Sequence, residues 1–470
     1  MIKKEYDLII MGGGAGAFAA SNKANQLKKK TLVINDSKII PLGGTCVNVG
    51  CVPSKIMLHQ GQEYYHPTHS QFKAIKLRGK GDFITALRET KKMIEGFRKK
   101  NYSNVIKKQK YVDFKEGRVK FVDKNTILVG KEKIKGKNII IATGASTFVP
   151  PIKGIDKIPY LTNVNVFNLK KKPKSVIIIG GGPQAMEFSQ IFHHFGIKVN
   201  VLQRSDRILT KIDSIVSDEL RKYLEQEGIE IQTGVKFEEV KKISKGIEIL
   251  FSVKSKKKKL TAGLLFLGTG LNPHTKDIDT NKAGVKLDEK GFVKVNDYMQ
   301  TSQKNIYSVG DVTGLMPLET VAAKQGNFAV TNIFEKTKKT INYNEIPSAV
   351  FTSPEVAVVG ITEEEFMKKY KICLCRTVNL DHVEKALAIK DTRGLIRMVV
   401  NPKTKVIIGV HIVAPMAADI ITTATYAIKN KMTIDDIRDT VHVFPTMSEM
   451  IKKVAQSFDQ NLDDMACCVE

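Results

Sequence analysis

Two glycine turns of the same design constrain the fold of this chain more than any other feature. The first, Gly12-x-Gly14-x-x-Ala17, follows the apolar run EYDLIIM; the second, Gly180-x-Gly182-x-x-Ala185, follows KSVIII. Each leads into a stretch of helical character and then into another apolar strand, TLVIND or KVNVLQR. In such a strand–turn–helix unit the first glycine permits a tight turn. The second lets backbone approach a pyrophosphate at the helix N-terminus, and the small third residue lets helix and strand pack closely. One such motif is weak evidence. Two, each between strands, predict an α/β chain with two Rossmann-like dinucleotide-binding domains. A ribose-holding acid is expected where each second strand ends. The first ends Asn35-Asp36, which makes Asp36 the candidate. The second ends Gln203-Arg204, with Arg207 close behind. A guanidinium beside a missing carboxylate suits a 2′-phosphate, so Arg204 is the expected reader of NADPH.

Between the two turns lies GGTCVNVGCVPSK, Gly43 to Lys55. Cys46 and Cys51 are separated by small residues and by Gly50, so the backbone can bend and bring the sulfurs within disulfide reach. Pro53 suits the first turn of a helix. Cys51 then falls near a helix N-terminus, where the dipole favours a thiolate, and Lys55 adds a cation one turn on. The pair reads as redox-active. A zinc half-site is disfavoured by the spacing.

The stretch resembles the active-site signature of the flavin-dependent pyridine nucleotide–disulfide oxidoreductases, and further motifs extend the resemblance along the chain. The strand exit Ala142-Thr143-Gly144, the second exit GTG at Gly268 to Gly270, and Gly310-Asp311 all stand in the family's order. The resemblance implies FAD and NADPH as cofactors. FAD would contact Gly12, Gly14, Ala17, Asp36, Gly44, Thr45, Lys55, Thr143, Gly144, Gly270 and Asp311. NADPH would contact Gly180, Gly182, Ala185 and Arg204. It implies that Glu187 pairs with Lys55 and that Tyr102 stands beside the redox pair. It also implies an FAD domain over 1–150 and 271–340, with the Pro150-Pro151 pair at its boundary, and an NAD(P)H domain over 151–270. A C-terminal α+β dimerisation domain over 341–470 completes the chain as a homodimer with shared active sites.

Two departures bear on the substrate. Members of the family that reduce thiol substrates carry a histidine base in an HPTxSE motif near the C-terminus. Here the motif reads Phe444-Pro445-Thr446-Met447-Ser448-Glu449, and phenylalanine carries no proton. His442 stands two residues earlier and serves only if the backbone re-aims it. The chain ends MACCVE, where Cys467 and Cys468 form a soft-ligand pair. This tail resembles that of the mercury(II)-reducing members, which implies Hg(II) as a thiol complex for substrate. Cys46, Cys51, Cys467 and Cys468 would then be its ligands. A disulfide reductase that lacks the base and uses its tail as a dithiol relay is the alternative.

Charge raises a rival of another class, a basic binding protein on a reductase-like fold. The chain carries 75 Lys+Arg against 48 Asp+Glu, a net charge of +27. The lysine runs at 28–30, 170–172 and 254–259 are scattered, expected beside turns, and lack interleaved aromatics, so they read as solvated surface with no nucleic-acid role. No apolar run reaches the length of a membrane span, and no membrane association is expected. A redox-poised cysteine pair without an export signal suggests a cytoplasmic protein. Cys373 and Cys375 alternate along an expected strand and have no assigned role.

Overall fold

The computed structural model describes residues 5–372 and 374–465. Cys373, Cys467 and Cys468 therefore lie outside the described residues, as does the expected soft-ligand tail. The apolar runs that precede the glycine turns form central strands of two sheets, the first mixed with a parallel core and the second parallel throughout. In the first sheet the strand order is Val112–Glu116, Thr31–Asn35, Glu5–Met11, Glu132–Ile141, Thr126–Val129, Val119–Phe121. A later strand, Ile306–Ser308, returns to pair in parallel with Glu132–Ile141. In the second sheet Glu230–Gln232, Lys198–Leu202, Ser175–Ile179 and Leu264–Leu267 lie parallel in that order. The central strands are covered on both faces, which is why they read as unbroken apolar runs and not as alternating ones. Leu8, Ile9, Ile10 and Met11 are completely buried, as are Val176, Ile177 and Ile178.

Helix Ala15–Gln26 follows the first turn and helix Pro183–His194 the second, with Pro183 at the start of its helix. The two-residue turn at Lys254-Ser255 has positive φ and joins Gly246–Val253 to Lys256–Ala262 in a three-stranded antiparallel sheet. The lysine run at 254–259 thus stands at a turn, as expected, and its Lys256 to Lys259 continue onto an edge strand. Charged edge strands resist pairing with another chain.

From Ser348 onward a five-stranded antiparallel sheet forms in the order Ser348–Val350, Glu355–Gly360, Ile407–Ala414, Leu395–Val400, Leu374–Asn379. Helix Ala417–Lys429 packs on it through Ile420, Ile421, Ala424 and Ala427, one apolar stripe at helical spacing. The fold is thus two Rossmann-like units and a C-terminal α+β unit. Among the described residues no helix is long and apolar enough to cross a membrane.

Candidate active site

The two glycine turns meet their sheets in the same way. Gly12 has φ +130°, and a Cβ there would run into the carbonyl oxygen of Ala142. Gly180 has φ +119°, and a Cβ there would run into the carbonyl oxygen of Gly268. Each turn is thus wedged against one strand exit, Ala142-Thr143-Gly144 or Gly268-Thr269-Gly270, which explains why the exits pair with the fingerprints. The middle glycines match as well. Asn35 lies across Gly13 and Gln203 across Gly181, so the two amides hold equivalent places at the ends of their strands. Asn35 is buried and donates to the Ile40 carbonyl at 3.1 Å. Asp36 lines the cleft and accepts from the Lys38 backbone at 3.1 Å. Ala17 and Ala185 are completely buried, so they pack helix on strand. Arg204 is exposed at the second turn, whereas Arg207 is held by Glu364 at 3.0 Å.

A cleft of about 610 Å³ opens in front of the first turn. Gly12, Gly14, Asp36, Gly44, Thr45, Thr143, Gly144, Gly270 and Asp311 line it together with Cys46 and Cys51. Helix Ala15–Gln26 points its N-terminus there with no side-chain cap, leaving its first N–H groups to a phosphate. Gly14 and Gly44 approach so closely that a Cβ on Gly44 would stand 2.6 Å from the Gly14 Cα. Burial pushes the Asp311 carboxyl above the ordinary range, while His274 pulls the other way. Such a carboxyl suits the hydroxyls of a sugar or ribityl chain. A cradle of bare backbone, an uncapped helix end and a buried carboxyl fit a dinucleotide such as FAD.

The redox turn forms the far wall. Cys46 sits in the short helix Gly44–Val49, and Cys51 opens helix Cys51–Thr68 directly after Gly50. Asn48, between them, is buried and donates to the carbonyls of Pro41, Leu42 and Gly44 at 3.0, 3.3 and 2.8 Å. Arg98 donates to Asn48 Oδ1 at 3.1 Å, which ties the turn to helix Phe83–Arg98. Both cysteines are free thiols. The hydrogen bond from Cys46 holds the Cys51 thiol below its ordinary range, and the Lys55 charge adds to this. The same interaction pushes Cys46 up. Of the two sulfurs, Cys51 is the one whose surroundings favour the thiolate. Lys55 Nζ meets Glu187 Oε1 and Oε2 at 2.7 and 2.8 Å and lies 4.4 Å above the Phe351 ring. Glu187, almost fully buried, also accepts from the Phe351 backbone at 3.2 Å.

Tyr102 lies on a π-helical turn, Lys99–Ser103, that continues helix Phe83–Arg98. Its ring packs edge-on against Phe18 with centroids 4.9 Å apart and closes over Gly43. Burial pushes its hydroxyl up to about 12, and the charge of Glu319 adds to the effect. Glu319 went unnoticed in the sequence. It opens helix Glu319–Phe334 and lines the cleft with Cys46, and its charge pushes the Cys46 thiol and the Tyr102 hydroxyl up. Its only sequence signal is a carboxylate at a helix start shortly after Gly310-Asp311.

At the far end of the chain Phe444 is 46% exposed, following Val441 at 88% and Val443 at 75%. The His442 ring faces the Ile437 backbone and Lys452 within its own C-terminal unit, and burial pushes it below the ordinary histidine range. Glu449 accepts from the Thr446 backbone at 3.2 Å in a capping box. The carboxylate that would orient a base here caps a turn.

Residues 6–326 match the pyridine nucleotide-disulphide oxidoreductase family, and residues 346–455 match its dimerisation domain. The chain is 34% identical to a mercuric reductase of Staphylococcus aureus, over 99% of this chain and 84% of that one. It is 32% identical to a dihydrolipoyl dehydrogenase of Trypanosoma brucei brucei, over 96% of each. In structure it resembles an HOCl-induced flavoprotein disulfide reductase of Escherichia coli. That match has a TM-score of 0.86 at 24% identity, over 96% of this chain and 99% of that one. The chain belongs to the pyridine nucleotide-disulphide oxidoreductases. It is therefore an oxidoreductase, dependent on FAD and NAD(P)H as its family is.

Proposed function

We propose that this oxidoreductase is a mercury(II) reductase: NADPH + Hg(II) → NADP⁺ + H⁺ + Hg(0). One observation carries the reading. A thiolate–thiol pair, Cys51 and Cys46, opens on the cleft, while the position of the thiol-substrate base holds Phe444. A disulfide substrate needs a positioned acid–base group, worth about 10²-fold or more in rate. A soft metal ion needs two thiolates.

Bound FAD would relay the two electrons of NADPH to the cysteine pair and the metal held there. Gly12, Gly14, Gly44, Thr45, Thr143, Gly144, Gly270 and Asp311 would hold it, with Asp36 at its ribose. Gly180, Gly182 and Arg204 would hold NADPH, with Arg204 free to meet the 2′-phosphate. Lys55, fixed by Glu187, keeps Cys51 ionised, and Cys46 is the outer, exchanging sulfur. Tyr102 closes the site over Gly43. Cys467 and Cys468 of one subunit would capture Hg(II) and pass it to Cys46 and Cys51 of the other. Among the described residues there is no group of three or more metal-ligating side chains. Hg(II) bound between two thiolates asks for only two. The domains would follow the boundaries 1–150 with 271–340, 151–270 and 341–470.

The likeness to a dihydrolipoyl dehydrogenase favours a second reading, disulfide reduction with the tail as relay. The variant Cys467→Ala/Cys468→Ala tests the proposal. It keeps its flavin and its reduction by NADPH. It loses Hg(II) turnover most severely when Hg(II) is offered with excess bulky thiol. Unchanged Hg(II) reduction under those conditions contradicts the handover from tail to inner pair.

A further inference from the structure

In both readings of the function the Cys46–Cys51 pair takes up electrons, and the turn that carries the two sulfurs is held from two sides. We propose that Arg98, acting through Asn48, and Asn163, acting through the Val49 carbonyl, are positioning residues that set the dithiol–disulfide equilibrium of that pair. The proposal goes beyond the mercury(II) reading and does not depend on it.

Cys46 and Cys51 belong to helices Gly44–Val49 and Cys51–Thr68, which Gly50 alone joins. Gly50 is folded back on the first helix: a Cβ there would stand 2.9 Å from the Thr45 carbonyl oxygen and 3.2 Å from the Cys46 Cα. A helix as short as Gly44–Val49 leaves most of its terminal backbone groups without intrahelical partners. Side chains supply them. Asn48 is buried, with its amide N–H groups turned on the Pro41, Leu42 and Gly44 carbonyls. That leaves its Oδ1 to face Arg98, whose Nη1 donates to it at 3.1 Å. Arg98 closes helix Phe83–Arg98, and the π-helical turn directly after it lays the Tyr102 ring over Gly43, at the start of the same redox turn. At the other end Val49 closes its helix, and its carbonyl accepts from Asn163 Nδ2 at 3.0 Å. Asn163 is buried and lines the cleft, and Thr147 donates to its Oδ1 at 3.1 Å, which fixes the amide's orientation. Two residues earlier, Leu161 is bonded through its backbone to Leu265 and Leu267 of the second sheet, at 2.7 and 2.8 Å. Arg98 thus ties the turn to helix Phe83–Arg98, and Asn163 ties it to the second dinucleotide unit.

Closing an S–S bond confines the turn to one conformation, and that loss of freedom opposes the disulfide. A turn already held by Asn48 and Asn163 has lost the freedom beforehand, as in any preorganised site. Removing one of these holds therefore shifts the pair toward the dithiol. The shift expected from one lost hydrogen bond is about tenfold, equal to about 30 mV in the potential of the pair. A residue that merely stabilised the fold would favour the oxidised and reduced forms alike and leave the equilibrium where it was.

The test equilibrates full-length holoenzyme, without air, in graded mixtures of reduced and oxidised dithiothreitol. Two protein thiols and the cyclic disulfide of the reagent exchange for one protein disulfide and one dithiol, so atoms and electrons balance. Acid quenching, alkylation and mass spectrometry of the peptide that holds Cys46 and Cys51 report the reduced fraction, with no NADPH or Hg(II) present. Arg98→Met and Asn163→Ala each favour the dithiol about tenfold over the parent. Arg98→Lys, which keeps a donor for Asn48 Oδ1, shifts the pair less. Adding Arg98→Met to Asn48→Ala changes nothing further, as befits a residue that acts through Asn48. Arg98 is half-buried and does not line the cleft, so its variants keep the flavin and decide the test where Asn163→Ala fails to fold. An Arg98→Met equilibrium within about twofold of the parent overturns the proposal, and so does a folded Asn163→Ala that stays within that range or favours the disulfide.

Discussion

At the scale of single residues, the site depends on which of two sulfurs carries the charge. Cys51 has the helix start, the hydrogen bond from Cys46 and the cation of Lys55, and all three act on the same atom. A lowered thiol keeps its charge as pH falls, until pH passes through the lowered value. Lys55→Met removes one of the stabilising charges, so the Cys51 pKa rises and its thiolate fraction at a given mildly acidic pH drops. Alkylation by iodoacetamide, followed at the Cys51 peptide, should shift its pH profile upward in Lys55→Met and stay near the parent profile in Lys55→Arg. An unshifted profile in Lys55→Met removes Lys55 from the account. The cysteine pair was legible in the sequence because its chemistry is local: spacing, Gly50, Pro53 and Lys55 lie within one stretch. Glu319 was not, because only its place at a helix start shortly after Gly310-Asp311 marks it in the chain. Its meaning comes from a helix packed across the molecule against Gly16.

Among elements, the two glycine turns perform one task twice, and they separate experimentally. Gly12 and Gly180 both combine a positive φ with a carbonyl oxygen where a Cβ would go. Backbone strain of this kind costs about 1–3 kcal/mol before the clash is counted. Gly12→Ala should yield protein depleted in FAD, read by absorbance after purification. Gly180→Ala should remain yellow yet be reduced slowly by NADPH in stopped flow. A Gly180→Ala protein that loses its flavin while Gly12→Ala keeps it would exchange the roles of the two units. These turns and the strands before them were readable because their residue types are dictated by backbone geometry and burial on both faces. The π-helical turn at Lys99–Ser103 was not, since a π-turn spells like ordinary helix. Nor did spacing reveal that the lysines at 256–259, beside the turn at Lys254-Ser255, form an edge strand, because that follows from their pairing with Gly246–Val253.

For the whole molecule, the C-terminal unit presents Val441, Val443 and Phe444 to solvent in the single chain. Exposed apolar side chains grouped in this way suit an interface, and the family's dimerisation domain covers residues 346–455. Val443→Asp should shift the protein toward monomer in sedimentation velocity and depress turnover with it, since the proposed tail handover crosses between subunits. A variant that stays dimeric and fully active argues against this surface as the interface. The net charge of +27 is spread over lysines at separate places, among them the edge strand, in keeping with a solvated surface. The central claim is that the cleft which lacks a histidine base serves a metal ion. Its most direct measurement is NADPH oxidation by the purified holoenzyme with Hg(II) in excess thiol, lipoamide and glutathione disulfide side by side, with release of elemental mercury followed in the gas phase. The account predicts NADPH consumed and mercury vapour released in equal amounts, with rates on the two disulfides lower by about 10²-fold or more. Rapid turnover of either disulfide, with no mercury vapour from Hg(II), would contradict it.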